Sequence, residues 1–145
     1  MKLIPVLMTY CIFLFGCKQG FEPVDYGHDV CTNCKMTIMD RRFAAEIVTG
    51  KGKTIKFDDI ACLIKYKVSA GISDKNIQAF VSDYNHPGQS FLDAKLAVYL
   101  HSDIYKSPMN GNCAAFPPQI VTESQYKTGL AQTLLSWGDL VPISK

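Results

Sequence analysis

The amino-terminal segment decides how much of this 145-residue chain can fold as a domain. Residues 1–16 carry one charge, at Lys2, followed by an almost unbroken apolar run. The run is shorter than the roughly 20 residues that a membrane-spanning helix needs, but it suits the hydrophobic part of a secretory signal. We therefore predict that residues 1–16 are a signal peptide and that the fold is built from the rest of the chain.

The end of the apolar run resembles the lipobox of bacterial lipoproteins. It reads Leu14-Phe15-Gly16-Cys17, with a small residue directly before a cysteine. The resemblance implies cleavage before Cys17, lipid attachment at that residue and a stable membrane anchor, because several acyl chains hold where one holds only marginally. An ordinary cleaved signal is the alternative. Residues 17–27, with Gly and Pro and no periodic pattern, are predicted to be the lipidated Cys and a flexible tether.

Composition narrows the function of the remaining domain, residues 28–145. Its hydrophobic content, 48% over the whole chain, is enough for a core, and a formal net charge of +2 without a dense basic patch argues against nucleic-acid binding. The chain has no Ser/His/Asp set, no glycine-rich dinucleotide motif and no phosphate-binding loop. We expect neither an enzyme nor a small-molecule substrate.

The apolar pattern of the domain predicts both strands and helices. Residues 43–49 and 54–57 alternate around a Gly-Lys-Gly-Lys turn, which indicates a hairpin. Asp58 or Asp59 then caps a helix over residues 60–69. The sequence further predicts a strand at 77–81, a helix from Leu130 to Trp137 and an ambiguous segment at 94–105. A weak internal echo predicts an α+β domain of two related β-β-α units packed together.

Cys31 and Cys34 form a CxxC motif, with Met36 two residues beyond it. Structural zinc is disfavoured because there is no second CxxC and no paired-His array. A thioredoxin-like redox site is weakened because no clear strand precedes and no helical pattern follows the motif. Cu(I) accepts thiolate and thioether together, and residues i and i+2 of an extended segment face one side. A Cu(I) site and a local Cys31–Cys34 disulfide remain open at this point.

Several separate motifs together resemble the NosL family. They begin with Cys31-x-x-Cys34-Lys35-Met36 and continue, in the family's order, with Phe57-Asp58-Asp59-Ile60-Ala61-Cys62-Leu63, Val81-Ser82-Asp83-Tyr84, Leu92-Asp93-Ala94-Lys95-Leu96-Ala97-Val98-Tyr99, Ser107-Pro108-Met109-Asn110-Gly111 and Ala115-Phe116. The resemblance implies a copper-binding lipoprotein that serves assembly of the copper centres of nitrous-oxide reductase. It also implies a fold similar to the N-terminal part of organomercurial lyase, with two related halves.

Carried over by position, the resemblance implies a Cu(I) site of one thiolate, Cys34, and two thioethers, Met36 and Met109. Cys31 and His28 are further candidate ligands, whereas we assign Cys62 and Cys113 to packing. Lys35 stands where the family has Gly, which costs free energy if the position needs a positive φ.

The function expected from the resemblance is a membrane-anchored Cu(I) metallochaperone facing the periplasm, held by lipid at the outer membrane. Its implied partners are nitrous-oxide reductase and the membrane-bound transporter complex that matures it. The alternative function is a periplasmic thiol–disulfide oxidoreductase that uses the Cys31–Cys34 pair.

Overall fold

The structure is a computed structural model that describes residues 20–119 and 132–141. The predicted signal peptide, residues 1–16, and the predicted lipid-attachment site Cys17 lie outside the described residues. None of the helices in the described ranges is both long and apolar enough to cross a membrane.

The first half of the domain is an antiparallel sheet that carries one helix. The predicted hairpin is confirmed as β1 and β2, which pair from Ala45 with Phe57 to Val48 with Thr54. The strand predicted at 77–81 is confirmed as β3, on the other side of β1, and β4 closes the sheet in the order β2-β1-β3-β4. The strands are β1 (Ala45–Thr49), β2 (Thr54–Phe57), β3 (Ile77–Ser82) and β4 (Phe91–Asp93).

The helix of this half, α1, spans Ile60–Ser69, as the sequence predicts. Asp59 is its N-cap: the backbone of Asp59 is extended and its carboxylate accepts the N–H of Ala61 at 2.7 Å. The first five residues of α1 are buried against the sheet. Because the cap fixes where α1 begins, it also fixes the position of Asp58, which directly precedes it.

The second half is a smaller antiparallel sheet in the order β6-β5-β7. Its strands are β5 (Val98–His101), β6 (Cys113–Phe116) and β7 (Thr133–Leu135), and a short 3₁₀ turn, Trp137–Leu140, follows. The ambiguous segment 94–105 therefore contains a strand. The prediction of a helix from Leu130 to Trp137 is wrong for residues 133–135, because they form a strand that pairs with β5. Residues 130–131 lie outside the described residues.

The two sheets meet at the carboxyl end of β3. Asp83 forms a parallel bridge with Ala115, and the N–H of Tyr84 donates to the carbonyl of Ala115 at 3.0 Å. Buried residues of both sheets and of α1 belong to one cluster. The α+β class is confirmed. The first β-β-α unit is complete, whereas the helix of the second unit is not found among residues 98–119 and 132–141.

The segment 20–27, which the sequence assigns to the tether, packs on the face of the first sheet opposite α1. The ring of Phe21 lies 5.3 Å from that of Phe80 and 4.9 Å from that of Phe91, centroid to centroid. Val24 is buried, and the Lys56 ammonium donates to the carbonyl of Pro23 at 3.0 Å. The sheet is therefore covered on both faces.

Candidate metal centre

Four buried or half-buried side chains converge where the CxxC segment meets the start of α1. The Sγ atoms of Cys31, Cys34 and Cys62 and a carboxylate oxygen of Asp58 all lie within 4.8 Å of one another. All three cysteines are free thiols. Sulfur ligands select soft metal ions, so this cluster, called the thiol cluster below, is the candidate metal centre.

A tight turn over residues 31–36 supplies two of the thiols. The N–H of Cys31 donates to the carbonyl of Met36 at 2.8 Å, and the N–H of Lys35 donates to the carbonyl of Cys31 at 3.0 Å. Lys35 has φ 67°, in the left-handed region. The turn is tied to β2, because the N–H of Thr32 donates to the carbonyl of Lys56 at 2.9 Å.

Main-chain N–H groups of this turn point at the sulfur atoms. The N–H of Cys34 hydrogen-bonds to the Cys31 sulfur, and the N–H of Met36 hydrogen-bonds to the Cys34 sulfur. The N–H of Asp58 is a further donor to Cys31. Such donors stabilise negative charge on sulfur, which suits thiolate ligands of a metal ion.

The start of α1 supplies the other two members of the thiol cluster. The Cys34 thiol lies 3.4 Å from both carboxylate oxygens of Asp58, within hydrogen-bond distance for sulfur. Cys62 is buried in the first turn of α1, where its sulfur accepts from the side-chain amide of Asn33 at 3.5 Å. The Asp59 cap thus places a carboxylate and a thiol against the CxxC turn.

The same cap brings the second half of the domain to this point. The second oxygen of the Asp59 carboxylate accepts the hydroxyl of Ser107 at 2.5 Å and the N–H of Met109 at 3.0 Å. Because Asp58 contacts Cys34 and its neighbour Asp59 contacts Met109, one dipeptide links the CxxC turn with the loop that carries Met109.

The three thiols of the cluster differ in pKa. The hydrogen bond from Cys62, helped by the N–H groups of Cys34 and Asp58, lowers the pKa of Cys31 to about 6 against the effect of burial. The same hydrogen bond raises the pKa of Cys62. Burial raises the pKa of Cys34 to about 11. Of the three thiols of the metal-free cluster, Cys31 therefore loses its proton most readily.

The structure brings together some of the predicted ligands and adds others. Cys34 and the further candidate Cys31 are both in the thiol cluster, whereas His28 is exposed, pairs with Asp25 at 3.1 Å, and is not a member. Met36 is 52% exposed, and Met109 is half-buried against the core. The main-chain N–H of Met36 hydrogen-bonds to the Cys34 sulfur, and that of Met109 donates to Asp59, the neighbour of the cluster member Asp58.

Cys62 and Asp58 are members of the thiol cluster that the sequence analysis missed. Cys62 was assigned to packing, and Asp58 was considered only as a helix cap. One signal was available: a helix predicted to begin at residue 60 puts Cys62 in its first turn, next to any residue that contacts the cap. Cys113, also assigned to packing, is buried on β6 and is not a member of the thiol cluster.

The geometry does not suit thiol–disulfide exchange through the CxxC pair. Redox enzymes of this type use an accessible, low-pKa thiol at a helix N-terminus. Here the residue with the lowered pKa, Cys31, is 0% exposed, and the more accessible Cys34 has a raised pKa. The segment after Cys34 is irregular and leads into a bridge between Val30 and Thr37, rather than into a helix. The arrangement of these thiols therefore suits metal binding better than thiol–disulfide exchange.

Comparison with known proteins identifies the fold and the family of this chain. A search of curated proteins finds no match. The crystal structure of the copper chaperone NosL from Shewanella denitrificans is similar to this one, with a TM-score of 0.67 and 16% sequence identity, over 83% of this chain and 95% of that chain. The model of the NosL family matches residues 26–138, most of the chain, and the chain therefore belongs to the NosL family.

Proposed function

We propose that this protein is a membrane-anchored metallochaperone that binds Cu(I) at the thiol cluster and passes it on. The observation that carries the proposal is the convergence of Cys31, Cys34, Cys62 and Asp58 within 4.8 Å, in a domain with the NosL fold. Sulfur-rich sites favour Cu(I), and a donor of copper needs a site that a partner can reach. Cys34, which is partly exposed, is the sulfur ligand at the accessible edge of the cluster.

Met36 and Met109 supply the thioether ligands at this accessible edge, and soft metal ions prefer such ligands. A thioether is neutral and does not titrate, and it is a poor ligand for zinc, so two of them beside one thiolate favour Cu(I). The set Cys34, Met36 and Met109 leaves the ion with an open coordination position. A His or Met of a partner can bind there and take the ion by ligand exchange, as transfer requires.

The family and the lipobox support a proposal for where the protein is held and where the copper goes. Lipid on Cys17 would hold the protein at the outer membrane, facing the periplasm. There it would deliver copper for the copper centres of nitrous-oxide reductase, together with the membrane-bound transporter complex that matures that enzyme. The name of the similar structure, a copper chaperone, supports the cargo.

Competition for Cu(I) tests the proposal. The reduced, detergent-solubilised protein is titrated against a chromogenic Cu(I) chelator, with Cys34→Ser and Cys113→Ser as the two variants. We expect wild type and Cys113→Ser to hold one Cu(I) equally tightly, and Cys34→Ser to lose at least about tenfold in affinity. Equal binding by wild type and Cys34→Ser, or no binding by wild type, would refute the proposal.

A further inference from the structure

The Cys62 thiol is built into the metal site, unlike an ordinary core cysteine. Cys113 shows the ordinary case: it is 0% exposed, and burial raises its pKa. Cys62 is equally buried, yet its sulfur accepts from the Asn33 amide and its thiol hydrogen-bonds to Cys31. A side chain that only fills space does not need these polar partners.

Cys31, Cys34 and Cys62 have the spacing that one metal ion requires. Metal–sulfur bonds of about 2.3 Å in a trigonal arrangement place the sulfur atoms about 4 Å apart. The observed separations are at most 4.8 Å, so an ion at the centre needs shifts of under about 1 Å. Cys31 and Cys62 are buried, and Cys34 alone of the three has partial exposure.

The surroundings can stabilise three thiolates around a monovalent ion. N–H groups of Cys34, Asp58 and Met36 and the amide of Asn33 donate to the sulfur atoms. Cys62 also lies in the first turn of α1, where the helix dipole favours negative charge. These donors offset part of the negative charge that three thiolates would bring into a buried site, whereas the Asp58 carboxylate, 3.4 Å from the Cys34 sulfur, opposes it.

We propose that Cys31 and Cys62 join Cys34 to form an inner, all-thiolate position for Cu(I), from which the ion moves to the outer set of Cys34, Met36 and Met109 for transfer. This inference rests on the proposed function and adds to it. The inner position retains the ion away from solvent, and Cys34, common to both sets, keeps the ion bound during the move. No electron is exchanged, since copper stays cuprous; Cys31 and Cys62 bind the ion as thiolates after losing their protons, and are protonated again when the ion moves on.

Two opposite sets of variants test the inner position in the reduced, detergent-solubilised protein. Cys62→Ser removes an inner ligand, with Cys113→Ser as the matched buried control. We expect Cys62→Ser to bind Cu(I) at least about tenfold more weakly and Cys113→Ser to bind like wild type. Thermal unfolding of each metal-free variant checks that the domain is folded.

The double variant Met36→Leu/Met109→Leu removes the outer thioethers and leaves the inner thiols. It should still bind one Cu(I), because the three thiols remain, but release the ion more slowly to a Met-containing acceptor peptide. Loss of Cu(I) binding in this variant, or unchanged binding in folded Cys62→Ser, would overturn the inner position. If wild type binds no Cu(I), or binds Zn(II) in preference, the proposed function itself fails.

Discussion

At the scale of single residues, Lys35 has an unfavourable backbone conformation, which lowers the stability of the turn at the site. A residue with a Cβ at φ 67° costs about 1 kcal/mol relative to glycine. The Lys35 ammonium offsets part of this by donating to the carbonyl of Thr32 at 2.7 Å. The turn keeps its shape because two main-chain hydrogen bonds between Cys31 and residues 35–36 close it.

Replacing Lys35 therefore tests whether this turn is strained. We expect Lys35→Gly to raise the free energy of unfolding by up to about 1 kcal/mol, and Lys35→Val to lower it by about 1–2 kcal/mol, because a β-branched residue tolerates positive φ least. Urea unfolding of the metal-free protein measures both. A stabilising effect of Val would show that the turn does not need the left-handed backbone.

Glu46, on the sheet face opposite α1, is a second residue whose surroundings lower the stability of the fold. It is 0% exposed, neither carboxylate oxygen has a hydrogen-bond partner, and burial raises its pKa to about 8. The folded state therefore holds this proton up to a higher pH than the unfolded state, whose pKa is near 4.5. Between those two pH values the folded state binds more protons, so a rise in pH destabilises it.

This linkage predicts a pH dependence with a definite sign. Between pH 5 and pH 8, Glu46 should lower the free energy of unfolding by up to about 1.4 kcal/mol per pH unit. Glu46→Gln removes the titration, so the gap in stability between variant and wild type should grow in favour of the variant as pH rises. Parallel pH profiles for the two proteins, measured by chemical unfolding, would contradict the assignment.

At the scale of elements, the contact between α1 and the Met109 loop holds the two halves of the site together. A Cβ on Gly111 would lie 2.6 Å from the Cβ of Ala61 and 2.7 Å from a carboxylate oxygen of Asp59. No ordinary side-chain contact is that short. The loop over residues 107–111 can therefore approach the start of α1 only with glycine at this position.

Gly111→Ala should separate the loop from α1. We expect it to lower the free energy of unfolding by about 1–3 kcal/mol, and to slow Cu(I) transfer because Met109 moves with the loop. Gly138→Ala is the matched control: its added Cβ would meet nothing closer than the Ser136 hydroxyl at 4.0 Å, so stability should change by under about 0.5 kcal/mol. Equal stability of the two variants would show that the approach is not needed.

Elements specified by neighbouring residues could be predicted from the sequence. The β1–β2 hairpin and the start of α1 follow from alternation, a glycine-rich turn and an Asp cap, all local signals. The segment near Leu134 could not be predicted, because its apolar spacing fits a helix while pairing with β5 makes it a strand. Cys62 was missed for a similar reason: its approach to Cys31 depends on how α1 packs on the CxxC turn.

At the scale of the whole molecule, the packed segment 20–27 changes the expected distance between domain and membrane. A free tether over residues 17–27 would let the domain move away from a lipid on Cys17. Since the Phe21 ring contacts Phe80 of the sheet and Val24 is buried, only residues 18–19 separate Cys17 from the described, packed chain. At most about 3.6 Å per residue is available, so the proposed anchor would hold the sheet close to the lipid surface.

The packed segment also covers Glu46. The pKa of Glu46 therefore reports whether the segment is packed on the sheet. Glu22 and Lys56 lie close enough to affect the Glu46 carboxylate, and the Tyr26 hydroxyl is buried near it. Because burial is the main cause of the raised pKa, exposure of this face should return the carboxylate toward its ordinary value.

Deleting residues 20–24 tests this arrangement. The deletion removes Phe21, Val24 and the Pro23 carbonyl that Lys56 contacts, so water reaches the sheet face and the pKa of Glu46 should fall from about 8 toward 4.5. Carbon-13 NMR of the Glu carboxylates measures the pKa directly. Leu96→Ala, at a site 69% exposed, controls for nonspecific loosening and should leave the pKa of Glu46 in place. A pKa that stays near 8 in the deletion variant would show that the sheet, rather than the segment, buries Glu46.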